Sequence, residues 1–175
     1  MTGPLSAREA VERILRDIQR QPPLRIPLDD AAGSVLAERV ISPIDIPAHT
    51  NSAMDGYAVR ADDVRGASAA SPKCLDVIEQ IPAGSFPTKT IGPRQCARIF
   101  TGAPLPLGAD SVIRQEDTDL GAERVIVVTD RDAGSNLRFA GEDIKAGAIV
   151  FEPGLELSAS HLGVLASLAI AHPVV

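Results

Sequence analysis

Residues 51–60 read NSAMDGYAVR, and the turn and strand that those ten residues encode set the frame for the rest of the chain. Asn51 and Ser52 can close a turn with their own side chains, and Gly56 can take a positive φ. Tyr57, Ala58, Val59 and Arg60 then alternate large, small, large, long, like the opening of a strand. This predicts Asp55 at the tip of a tight loop. A carboxylate displayed on a rigid turn can hold a divalent cation or orient a polar ligand. The same residues also describe an ordinary Asx-Gly surface turn with Met54 packed beneath it, and spacing alone leaves both readings open.

Composition points the same way as that strand. The 175 residues are 45% hydrophobic, enough for a core, yet only 3% aromatic, while 14 Gly and 14 Pro call for many turns and short elements. A mostly β fold is expected. A net charge of −6 with scattered Lys and Arg argues against a nucleic-acid or anionic-membrane surface. Cys74 and Cys96 lack CxxC spacing and are expected to be buried thiols. No basic segment leads an apolar core at the N-terminus, and no apolar run approaches the roughly 20 residues of a membrane span, so a cytoplasmic protein is expected.

Upstream of the turn, Ser6 and Glu9 form a capping box, and Val11, Ile14, Leu15 and Ile18 fall at i, i+3, i+4, i+7. A helix over 6–19 follows, ended by Pro22 and Pro23, whose apolar stripe must be covered by the body of the chain or by a second subunit. A second helical segment is expected over 28–40, capped by Asp29 or Asp30. Downstream, strands are expected over 74–81, 96–100, 111–113 and 124–129, with a hairpin about the turn at Asp119, Leu120 and Gly121. Pro104 and Pro106 make 103–108 a stiff crossing, which leaves Thr101 at a strand end. Leu137, Arg138 and Phe139 are extended, 148–151 is a strand, and Ser158 caps a last helix with Leu162, Leu165, Ala166 and Ala169 on one face. Composition shifts near Ile44 and near Ala146 and Gly147 suggest residues 1–44 plus 147–175 as an outer domain. Residues 45–146 would be an inserted β-rich domain.

NSAMDGYAVR, IDIP at 44–47 before it, and RIFTGAP at 98–104 and GEDI at 141–144 after it, resemble in content and order the motifs of the molybdopterin molybdenumtransferase family. That family comprises bacterial MoeA proteins and the E domain of gephyrin. The resemblance runs from the first helix to Val175 and covers the front part of the family's usual length. It implies an α+β, predominantly β fold: an elongated β-rich domain with a second β-rich domain inserted and a few short helices. It also implies a reaction in which molybdate enters the dithiolene of molybdopterin activated as its AMP adduct, with release of AMP. A divalent cation, Mg2+ or another, assists. A homodimer is implied, as are further proteins of molybdenum-cofactor biosynthesis as partners. Family members continue past the position of Val175 into a pterin- and nucleotide-binding domain, so these 175 residues alone are expected to be inactive.

Matched motif by motif, the family's functional positions fall on Asp55, Thr101, Arg138 and Asp143. Arg138 and Thr101 would bind the anionic substrate, and Asp55 and Asp143 would hold the metal. The chemistry agrees, because carboxylates repel oxyanions and therefore suit a cation or a proton, whereas a guanidinium pairs with phosphate or molybdate oxygens. Phe139 and Ala140 depart from relatives that carry further arginines there, which implies weaker anion binding at that edge. A plainer alternative pairs Arg138 with Glu142 on the surface and makes Asp143 a turn cap. At the level of function, the rival is a non-catalytic scaffold module, which predicts an exposed apolar groove and indifference to Asp55.

Overall fold

Strand β3 (Gly56–Val59) is buried along its whole length and stands second in a five-stranded sheet, between β5 (Gln95–Ile99) and β6 (Ser111–Arg114). Beyond β5 lie β4 (Lys73–Ile81) and β7 (Arg124–Val127), giving the order β6-β3-β5-β4-β7. The computed structural model describes residues 5–19 and 21–175. All pairings in this sheet are antiparallel except β4 with β5, which the long connection 82–94 makes parallel.

Side chains alternate across the pleat, so each strand feeds two cores. Tyr57, Val59, Leu75, Cys96, Ile113, Val125 and Val127 pack with Val64 on one face. Ala58, Ile81, Ala97, Ile99 and Val112 pack with Ile91 and Ala103 on the other. A sheet covered on both faces explains why 56–59 reads as continuously apolar rather than alternating with polar residues.

Two shorter strands complete the frame of the site: β2 (Asn51–Ser52) pairs antiparallel with β8 (Leu137–Arg138), with Asn51 opposite Arg138 and Ser52 opposite Leu137. The remaining elements are α1 (Ala7–Asp17), β1 (Val40–Ile41), α2 (Ala61–Val64), β9 (Ile149–Phe151) and α3 (Ala159–Ser167). The result is the α+β, predominantly β architecture that the sequence predicts. Contacts divide the chain into two compact units, Met1–Val40 with Phe151–Val175, and Ile41–Val150. The sequence placed the breaks a few residues further inward. No described helix is long and apolar enough to cross a membrane.

The capping box of α1 forms as expected: Glu9 accepts the Ser6 backbone N–H at 2.8 Å, and the Glu9 N–H donates to Ser6 Oγ. The Ser6 backbone N–H and the Ser6 hydroxyl, both donating to Glu9 Oε2, hold the Glu9 carboxyl below its usual range. The helix buries none of its residues, and Val11, Ile14, Leu15 and Ile18 are each more than half exposed. Its apolar stripe is therefore exposed among the described residues.

Several expectations are corrected. Gly33, at φ 76°, ends the second helical segment after the single 3-10 turn Leu28–Asp30, whose cap position is Pro27 rather than Asp29 or Asp30. Residues beyond it run extended, with Val35 bridged to Glu156. The interval 61–72, polar and Ala-rich and expected to be irregular, opens with the short helix α2. The turn at 119–121 does fold 126–128 back on 117–119, but β7 pairs mainly with β4, and β6 lies on the opposite sheet edge. In α3 the buried residues are Leu165 and, just after its end, Leu168, while Ala166 and Ala169 are exposed. Cys96 is buried, which pushes its thiol up to about 12, but Cys74 is exposed.

Candidate functional site

The two residues of β2 are laced to a neighbour on each side. On one side lies β8; on the other, Ser52 N–H donates to the Ala103 carbonyl, Gly102 N–H to that of Ser52, and Leu105 N–H to that of Thr50. The motif NSAMDG thus lies between TGAP and LRFAGED. IDIP joins the same seam, because the N–H groups of Gly141 and Asp143 donate to the carbonyls of Pro47 and Ile46. Motifs far apart in the sequence thus meet along one short strand.

Ser52 shapes the turn after β2. Its buried hydroxyl donates to the Met54 carbonyl at 2.5 Å and accepts the Met54 N–H, a side-chain-closed turn of the predicted kind. Gly56, however, is not at positive φ. It is required for a different reason: a Cβ there would stand 2.0 Å from the Ile113 carbonyl oxygen, so only glycine lets β3 approach β6 at this point.

Asp55, half-buried on the turn, points to the end of β5. Its Oδ1 accepts both the Thr101 backbone N–H at 2.8 Å and the Thr101 hydroxyl at 2.7 Å. Thr101 can present both because the chain reverses immediately after it, with Gly102 at φ 83° and the Ala103 N–H bonded back to the Phe100 carbonyl. The two Thr101 bonds, with the nearby Arg98 charge, hold the Asp55 carboxyl below its ordinary range. Asp55 is therefore ionised at neutral pH. Its Oδ2 takes no hydrogen bond from the described residues.

Arg138 and Asp143 form a second pair. Arg138 Nη2 lies 2.5 Å from both Asp143 oxygens, and its Nε lies 3.6 Å from Glu142. Glu142 also accepts the Phe139 N–H, closing the loop on itself. The Asp143 bonds, first, and the carboxylate charges push the Arg138 guanidinium up. Both partners are solvent-exposed, where ion pairs are weak and easily exchanged.

The four sequence-predicted residues thus stand as two pairs, Asp55 with Thr101 and Arg138 with Asp143. No hydrogen bond or ion pair among the described residues joins one pair to the other. They share β2: Arg138 faces Asn51, and at most about 14 Å of extended chain separates Asn51 from Asp55. As a cation ligand Asp55 fits well, being ionised with one oxygen unengaged. Asp143 fits less well, since both its oxygens face one guanidinium. No group of three or more His, Cys, Asp or Glu gathers among the described residues, so a cation on Asp55 would take further ligands from water or substrate oxygens, as Mg2+ commonly does.

Sequence reasoning gave no role to Arg98, the first residue of RIFTGAP, and passed over Gln115. Arg98 stacks on the rings of Tyr57 and Phe100 beside a cleft of about 380 Å³, lined also by Glu79, Gln80 and Gly121. The available signal was a lone guanidinium in the otherwise apolar strand CARIF.

Comparison with known proteins now bears on the family. The description "MoeA N-terminal region (domain I and II)" matches residues 5–169. The chain belongs to the MoeA N-terminal region family. It is 37% identical over 164 residues to the molybdopterin molybdenumtransferase of Staphylococcus epidermidis, covering 94% of this chain and 39% of that protein. It is 40% identical over 161 residues to molybdopterin molybdenumtransferase 2 of Mycobacterium tuberculosis, covering 91% and 40%. The crystal structure of the molybdopterin biosynthesis MoeA protein from Pyrococcus horikoshii OT3 superposes with a TM-score of 0.86 at 35% identity, covering 96% of this chain and 45% of that one. The chain spans about two fifths of the length of the curated relatives it matches.

Proposed function

We propose that this chain supplies one wall of a molybdopterin molybdenumtransferase site, where molybdate enters adenylylated molybdopterin and AMP is released. The observation that carries this reading is the meeting of NSAMDG, TGAP and LRFAGED along β2, which fixes Asp55 against Thr101 and sets Arg138 on the neighbouring strand. Of the two roles open to Asp55, holding a cation is better supported than proton abstraction, because a carboxyl held below its ordinary range is a weak base near neutral pH. Mg2+ or another divalent cation bound there would offset the negative charge of substrate oxygens. Arg138, once it exchanges Asp143 for a substrate oxyanion, would orient that anion, and Asp143 would then be available to the cation.

The exposed stripe of α1 supports a homodimer as the working form, and a cytoplasmic setting fits the chemistry. Light scattering at micromolar concentration tests self-association, and a monomer mass would count against it. The 175 residues expressed by themselves are expected to give no turnover, since they match only about two fifths of the relatives' length.

The decisive experiment joins residues 1–175 to the remaining domains of a relative and measures molybdate insertion. Asp55→Asn, Arg138→Ala and Thr101→Ala are each expected to lower the rate by about a hundredfold or more. The scaffold alternative has one observation in its favour, an exposed groove of about 1030 Å³ bordered by Pro22, Pro23, Leu24, Val35 and Pro153. Parent-like insertion by all three variants would transfer the assignment to that alternative.

A further inference from the structure

Arg98 reaches the Asp55 turn from below with two prongs. Its Nη1 donates to the Gly56 carbonyl at 3.2 Å, and its Nη2 donates to Gln115 Oε1 at 2.5 Å. Gln115 in turn donates its backbone N–H to the Asp55 carbonyl at 3.0 Å. The guanidinium is itself fixed by two rings, 5.0 Å from the Tyr57 centroid and 4.9 Å from that of Phe100. Phe100 is the residue before Thr101, whose N–H and hydroxyl hold the Asp55 carboxylate. One side chain therefore ties the start of β3, the end of β6 and the exit of β5, the three segments that define where Asp55 points. A lysine has neither the planar fork nor the stacking surface for all three.

We infer that Arg98 is a positioning residue, a clamp that fixes the Asp55 turn against Thr101 while touching no substrate. The inference rests on the transferase reading for its consequence but not for its geometry. Mere structural support would stabilise the whole sheet, whereas a clamp stabilises the turn selectively.

Amide hydrogen exchange on the 175-residue chain separates the two. In Arg98→Met, protection of the Thr101 and Gln115 amides should fall about tenfold or more, with amides of the β4–β7 ladder unchanged. Arg98→Lys, which keeps the charge, should restore only part of that protection. Gln115→Ala removes one prong without altering a strand and should open the same two amides about threefold, which keeps the test available if Arg98→Met does not fold. Unchanged protection at Thr101 and Gln115, or a loss shared equally by the ladder amides, would overturn the clamp. In the joined enzyme, Arg98→Met should lower kcat and leave the KM for molybdate unchanged. Should the two amides open while Asp55→Asn, Arg138→Ala and Thr101→Ala all insert molybdate like the parent, the clamp stands and the transferase reading fails. Should Asp55→Asn abolish insertion while Arg98→Met opens nothing, the reading stands and the clamp fails.

Discussion

Asp55 and Asp143 are the same residue type, were both expected to hold a metal, and sit in opposite circumstances. Asp55 is held through a single oxygen by the neutral donors of Thr101, at the junction of three strands. It keeps its negative charge and a second oxygen. Asp143 is held through both oxygens by a charged partner five residues away, on a loop whose backbone N–H groups donate to Pro47, Ile46 and Thr50. The difference is one of pre-organisation: the first carboxylate is aimed before any ligand arrives, while the second is released only by exchange of its guanidinium.

The largest expected effect tests the frame around the first carboxylate. Gly56→Ala puts a methyl group against backbone atoms that have no side chain to swing away, and should cost about 3 kcal/mol or more in urea unfolding. A loss below about 1 kcal/mol would mean that β3 and β6 can part without harm, and the aiming of Asp55 would lose its rigid base.

Next comes Asp132, which anchors β6 by accepting two guanidinium hydrogen bonds from Arg114 while almost fully buried. Burial raises its pKa, but the Arg114 bonds and charge outweigh burial, and the carboxyl ends below its ordinary range. A carboxyl depressed in the folded state contributes stability above its unfolded pKa, about 3.9, and loses it as pH falls through the folded value. Asp132→Asn should cost about 2 kcal/mol at neutral pH, the usual cost of breaking a buried pair discounted because Arg114 remains partly in solvent. The deficit against the parent should shrink as the pH drops through and below that range. An equal deficit at pH 3 and pH 7 would contradict it.

Asp55→Ala should lower the melting temperature more than Asp143→Ala, because only the former leaves a fixed donor pair without an acceptor. The reverse order would make the loop, not the turn, the rigid half of the site. Smallest of all is Asp55→Asn, which keeps an acceptor for Thr101 and should move the melting temperature by less than about 2 °C. A larger fall would show that the charge itself is structural, which would weaken its assignment to a cation.

The pattern of what could be read from residues alone follows from range. Short-range signals were sound: the Ser6 and Glu9 box, the Ser52 turn, and the strands at 73–81 and 95–99 all depend on neighbours within a few positions. Gly56 was correctly singled out but for the wrong reason, because its constraint comes from Ile113, fifty-seven positions away. The 28–40 segment has helix-compatible spacing, yet Gly33 at positive φ and pairing with 154–157 turn it extended. Asp55 was legible as a turn-tip carboxylate, but the site roles of all four candidates came from motif resemblance, and nothing local pairs Asp55 with Thr101 or Arg138 with Asp143. Arg98 was quoted within RIFTGAP but given no role, because its partners come from three separate strands or their ends.

Strand β2 is two residues long and is written on from both edges at once, by β8 on one side and by the TGAP turn on the other. Such a strand has no slack in its reading frame. A residue gained or lost between Pro47 and Asp55 would shift both seams together and turn every side chain in the stretch to the opposite face, whereas the 82–94 connection could absorb one. Length variation among natural sequences of this region should therefore collect in that connection and be absent from the nine positions from Pro47 to Asp55.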